Sequence, residues 1–133
     1  MEFFAKIIFK ILKENTLASI RKNKNTKLGN AFRIGNYSNF SIDNSASLII
    51  GDRVSLRNYC NFVLTKNAKV ILGTNVFMNN YCSINAIEKI EIGENTLFGE
   101  GVKLYDHNHE YSQKKVEHQK FTTAPIRIGK DCW

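Results

Sequence analysis

One short stretch holds most of the residues able to do chemistry. From Tyr105 to Pro125 the chain reads Tyr-Asp-His-Asn-His-Glu-Tyr-Ser-Gln-Lys-Lys-Val-Glu-His-Gln-Lys-Phe-Thr-Thr-Ala-Pro. All three histidines, His107, His109 and His118, lie in it, and it ends at the only proline. An imidazole near neutral pH can take a proton from a reacting hydroxyl or ligate a metal, so the stretch can carry general acid/base catalysis or a metal centre. Asp106, next to His107, adds a carboxylate able to accept a ring proton. In an arbitrary loop such histidines would be plain solvated side chains, and the surrounding chain decides whether they are more. The other reactive groups, Cys60, Cys82 and Cys132, share no C-x-x-C spacing.

The chain around this stretch is repetitive. An aliphatic residue followed by glycine returns at Ile50-Gly51, Leu72-Gly73, Ile92-Gly93 and Ile128-Gly129. A bulky apolar residue recurs every six positions, as Ile50, Leu56 and Phe62, then Leu72, Met78 and Ile84, then Ile92, Phe98 and Leu104. Neither an alternation of two nor a helical period gives this spacing. Short strands joined by tight turns and wound into a prism do, with one large side chain per face turned inward. The expected fold is a parallel β-helix over residues 28–133. Taking Ile34, Ile50, Leu72, Ile92 and Ile128 as successive starts gives steps of 16, 22, 20 and 36 residues. The last step is resolved by letting 105–125, which has no six-residue spacing, leave the prism as a loop and return at Ile126. The three cysteines fall on one repeat position, occupied by Val54, Val76 and Val102 in sister hexads, and so read as small core residues of a reduced protein. Asn30, Asn36, Asn58, Asn75, Asn80 and Asn95 fall at the turns, where asparagine tolerates positive φ.

Residues 1–27 form a separate segment. Phe3, Phe4, Ile7, Ile8, Ile11, Leu12, Leu17 and Ile20 follow helical spacing with Lys6, Lys10 and Lys13 between them, which predicts an amphipathic helix over 3–20. It can cap the open end of the solenoid or, with Phe inward and Lys on headgroups, contact a membrane surface. Seven Lys or Arg here face only Glu2 and Glu14, so five of the seven excess positive charges sit in this segment. The repeats are left close to neutral, which argues against a nucleic-acid groove along them. The apolar start carries Glu2, Lys6 and Lys10 without a small-residue cleavage site, and no apolar run is long enough to span a bilayer. The expected location is cytoplasmic, with the inner membrane face as the place where such a helix would act.

These repeats resemble the hexapeptide-repeat family, whose members are left-handed parallel β-helices and mostly acyltransferases. The hand comes from this resemblance alone. The segment Leu104-Tyr105-Asp106-His107-Asn108-His109 is similar to the catalytic segment of sugar O-acetyltransferases of the galactoside, maltose and capsular-polysaccharide types. The resemblance implies that His109 is the general base for attack of a sugar hydroxyl on the thioester of acetyl-CoA, with no metal and no covalent intermediate. Asp106 or a backbone carbonyl would fix its tautomer. His107 matches a neighbour often replaced in those relatives. Asn79, in Phe77-Met78-Asn79, matches an acceptor-contacting Asn, and Trp133 an aromatic residue of the same cleft; with Tyr105 and His107 these are the implied substrate contacts. The family forms homotrimers with the active site between subunits.

Two departures matter. Relatives carry an acidic residue after the Asn79 coil, where this chain has Ala86 and Ile87 before Glu88. They also continue for further coils past the Trp position that hold much of the CoA surface, so the expectation is a truncated member or a last face covered by something else. Two other readings follow. In one, the chain is an inactive scaffold remnant. In the other it resembles the trimeric zinc carbonic anhydrases of the same fold, with His107, His109 and His118 as ligands.

Overall fold

A computed structural model describes residues 2–133. Helix α1 spans Glu2–Lys22. The first coil follows as β1 (Thr26–Leu28), β2 (Arg33–Ile34) and β3 (Asn39–Ile42), and the second as β4 (Ser47–Ile50), β5 (Ser55–Leu56) and β6 (Asn61–Leu64). The third is β7 (Lys69–Leu72), β8 (Phe77–Met78) and β9 (Ser83–Ala86), and the fourth β10 (Lys89–Ile92), β11 (Leu97–Phe98) and β12 (Lys103–Tyr105). The chain then leaves as β13 (His107–Tyr111) and β14 (Val116–Thr123) and returns as β15 (Ile126–Ile128). Strands from successive coils pair in parallel into three sheets, β1-β4-β7-β10-β15, β2-β5-β8-β11 and β3-β6-β9-β12. This is a β-solenoid of about four turns, matching a left-handed parallel β-helix.

The six-residue spacing puts the expected side chains inside. Ile50, Leu56, Phe62, Leu72, Met78, Ile84, Ile92 and Phe98 are buried, and Leu104 packs against them partly exposed. Cys60 and Cys82 are fully buried among them, and their thiols point at the carbonyls of Asn79 and Gly99 (3.4 and 3.2 Å). Burial pushes the Cys60 thiol up to about 11 and raises that of Cys82 as well, which leaves both poor nucleophiles. Cys132 is only partly covered.

The coil count differs from the sequence reading in one place. Ile50 pairs with Leu28, and Ile34 pairs with Leu56, so Ile34 opens the second face of the first coil. The coil steps are therefore 22, 22, 20 and 36, read at Leu28, Ile50, Leu72, Ile92 and Ile128. The step of 16 arose because Ile34-Gly35 imitates the Ile-Gly phrase of the first face. The 22-residue coils carry four residues between β3 and β4 and between β6 and β7. Only Ile87 and Glu88 separate β9 from β10, so the third corner is two residues shorter there.

The turns also use their residues differently from expectation. Of the six turn asparagines, only Asn75 and Asn95 have positive φ; at the other four corners it is the next residue, Ala31, Tyr37, Tyr59 or Tyr81, that does. Asn58 and Asn80 act instead through their side chains, accepting the backbone N–H of Asn36 and Asn58 in the coil before (2.8 and 3.2 Å). The left-handed conformation strains a tyrosine by about 1–2 kcal/mol. Stacking offsets part of it: Tyr37, Tyr59 and Tyr81 form a ladder with ring centres 4.9 Å apart.

A second column follows the first sheet, Gly29, Gly51, Gly73, Gly93 and Gly129. At the first four, close approach of the next coil excludes a side chain; a Cβ on Gly73 would lie 2.6 Å from the Glu94 nitrogen and 2.9 Å from the Gly93 carbonyl carbon. Both are backbone and cannot swing aside. Gly73→Ala should therefore destabilise by about 3 kcal/mol, the upper range for overpacking. Gly99→Ala, with nothing within 4 Å of its Cβ, should stay within about 0.5 kcal/mol of wild type. Equal thermal melts for the two variants would mean that the coils yield more easily than this column implies.

Helix α1 packs on β1 and β3, with Ile20 buried, Leu17 against the core and Phe9 edge-on to Tyr37 nearer its N-terminus. The connector docks as well: the side-chain amides of Asn23 and Asn25 donate to the carbonyls of Asp43 and Asn44 (3.0 and 3.3 Å). The cap thus exists, built from part of the helix. Among the described residues no helix is long and apolar enough to cross a membrane.

Candidate active site

Where the sequence predicts a loop over 105–125, the structure has a β-hairpin. β13 and β14 pair antiparallel, His107 opposite Thr123 and His109 opposite Phe121, with a register shift between His109 and Tyr111. Its turn is closed by the Ser112 N–H donating to the Lys115 carbonyl (2.8 Å). The hairpin eluded the pattern because it covers no core. Nearly all its residues are exposed on both faces, so the alternation that marks a half-buried strand is missing.

Asp106 anchors the hairpin to the coils. Its carboxylate is fully buried and accepts the N–H groups of Ile87 and Glu88, both at 2.8 Å. These are the two amides of the shortened third corner. Its backbone carbonyl accepts the N–H of Ala124 at the far foot of the hairpin (3.0 Å). One aspartate therefore ties together the third coil, the outgoing strand and the returning strand.

The two candidate imidazoles have different partners. His107 Nδ1 lies 3.1 Å from the Asp106 carboxylate, and its ring meets Tyr105 and Phe121 edge-on. His109 Nδ1 lies 3.1 Å from the Glu117 carbonyl, its ring against Phe121 at 4.6 Å. Both acceptors lack a proton, so each Nδ1 carries the hydrogen, and in the neutral imidazole each Nε2 holds the free lone pair. The carbonyl alternative thus holds for His109, and Asp106 serves His107 instead. His107 is mostly covered, at 17% exposed, whereas His109 is exposed.

A groove of about 360 Å³ at the hairpin base is lined by Tyr105, Asp106, His107, Asn108, Thr122 and Thr123, among others. His109, Asn79 and Trp133 are not among the residues that line it. Asn79 follows the second sheet, at a different corner, and its side-chain oxygen accepts the Asn80 N–H (2.8 Å). Trp133 is 99% exposed beyond the last strand. A larger concavity, about 490 Å³ between α1 and the first coil, contains no histidine; the hairpin, where the reactive groups are, is the candidate site. Among the described residues of one chain, no group of three or more His, Cys, Asp and Glu side chains is arranged to hold a metal ion. His118, the third histidine of the zinc reading, has its ring 6.4 Å from that of His109.

Sequence reasoning missed the Glu117 carbonyl, the ring of Phe121 and the amides of Ile87 and Glu88, for which no sequence signal exists. It also missed the tyrosine ladder, which did have one: Tyr37, Tyr59 and Tyr81 recur at 22, the coil length. No protein-family model, curated protein or solved structure matches this chain. The fold is compatible with the hexapeptide-repeat proteins.

Proposed function

We propose that the protein is an acyltransferase that moves an acetyl group from acetyl-CoA to a hydroxyl of a sugar or cell-surface polysaccharide precursor, with His109 as general base. The observation that supports this reading is an imidazole whose Nδ1–H is held by the Glu117 carbonyl and whose Nε2, in the neutral ring, holds the free lone pair, on a hairpin clamped to a stiff solenoid. In the reaction Nε2 takes the acceptor O–H proton as that oxygen attacks the thioester carbonyl. The C–S bond then breaks, and the imidazolium returns the proton to the departing thiolate. Asp106 ties the hairpin that carries the imidazole to the coils, and the groove at the hairpin base, lined by His107 and not by His109, offers hydroxyls and a tyrosine ring to a sugar.

Asn79 and Trp133 enter this reading only through other copies of the chain, packed as a homotrimer. The test is release of CoA thiol by the purified protein with acetyl-CoA and a panel of sugar and oligosaccharide acceptors. Acceptor-dependent release is expected. None with any acceptor, and no thermal stabilisation by acetyl-CoA, would refute the reading. In a second reading His107 is the base. It is favoured by the Asp106 carboxylate on its Nδ1 and by its place in the groove.

A further inference from the structure

Helix α1 has two apolar faces. Ala5, Phe9, Lys13, Thr16, Leu17 and Ile20 lie along one side of the helix and are its less exposed positions; this face meets the coils, with Phe9 edge-on to Tyr37 at 5.4 Å. The other carries Phe3 (72% exposed), Phe4 (71%), Ile7, Ile8 (54%), Ile11 (54%) and Leu12. At about 100° per residue these six fill an arc of about 180° on the side away from the solenoid. Six large apolar side chains in one patch exceed the scattered exposure of an ordinary surface.

Charge singles out the occupant. Lys10 stands one turn from Ile7, and Arg21, Lys22, Lys24 and Lys27 follow along the helix end and connector, all exposed. Residues 1–27 hold five excess positive charges. A second copy docked through this face would bring like charge against like; an anionic surface would be matched. The helix cannot cross a bilayer. A basic amphipathic helix of this kind lies in the interface instead.

We propose that this outward face binds the surface of an anionic lipid bilayer, Phe3, Phe4, Ile8 and Ile11 entering the acyl boundary and the Lys and Arg side chains meeting lipid phosphates. The inference rests on the helix alone and holds whatever the hairpin catalyses. The test is flotation of the whole chain with phosphatidylcholine vesicles, with and without roughly 30% phosphatidylglycerol. Binding should be at least about tenfold stronger with the anionic lipid and fall severalfold at high salt. Phe4→Ser/Ile8→Ser/Ile11→Ser should reduce it at least about tenfold. That variant should keep its circular dichroism and melting temperature, since these side chains face away from the coils. The charge variant Lys10→Glu/Arg21→Glu/Lys22→Glu should abolish the lipid selectivity. Wild-type protein that stays with neither vesicle, or a serine variant that binds as well as wild type, would overturn the proposal. So would concentration-dependent self-association that the serine variant abolishes, without vesicle binding, since the face would then belong to a second copy.

Discussion

His109→Ala should lower turnover by about a hundredfold to ten-thousandfold, the usual loss on removing a general base. The fold should be untouched, because the ring is exposed and its one hydrogen bond is to the Glu117 carbonyl. His107→Ala should act differently. That ring is packed between Tyr105 and Phe121 and bonded to Asp106, so its removal should loosen the hairpin base and reduce turnover only severalfold. Rates for both variants at saturating acetyl-CoA and acceptor, beside thermal melts, make the comparison. An active His109→Ala with an inactive, normally folded His107→Ala would move the base to His107.

Asp106→Ala should have the second largest effect, on stability and activity together. The side chain is fully buried, and its loss leaves the N–H groups of Ile87 and Glu88 without an acceptor. A fully buried unmet amide costs about 1–3 kcal/mol; here both bonds are part-buried and Glu88 is exposed, so the pair together should destabilise the hairpin base by about 1–3 kcal/mol. Solenoids loosen locally, and the loss should show first as faster amide exchange at 87, 88 and 124, before any fall in the global melt. Asp106→Asn keeps one acceptor oxygen and should lie between. Unchanged exchange at those amides in Asp106→Ala would remove the carboxylate from its role as a clamp.

The sequence made some of this legible and hid the rest for physical reasons. Inward-facing positions were readable because burial in a prism imposes one bulky residue per face, and Leu56, Met78 and Phe98 obey that rule as well as the glycine-flanked first face does. Coil length was not, because it depends on how many residues each corner holds. Nothing in Asp43-Asn44-Ser45-Ala46 against Ile87-Glu88 announces four residues at one corner and two at another. The place where the chain leaves the coils was legible as the break in the repeat. Its wiring was not: a buried carboxylate reaching amides 18 and 19 positions back, and a ring nitrogen meeting a carbonyl eight ahead, are pairings only folding brings about. The positive φ at Tyr37, Tyr59 and Tyr81 runs against propensity, and stacking along the ladder offsets part of that cost.

The hairpin leaves the coils after Tyr105 and β15 resumes on β10 in register, Ile126 beside Ile90 and Ile128 beside Ile92. The stack closes across the gap, so residues beyond Asp106 are spared the steric demands that bind every corner and core position. Drift in length or composition at the hairpin tip carries little risk of misfolding. The hairpin tip can therefore be rewritten without disturbing the scaffold that carries it.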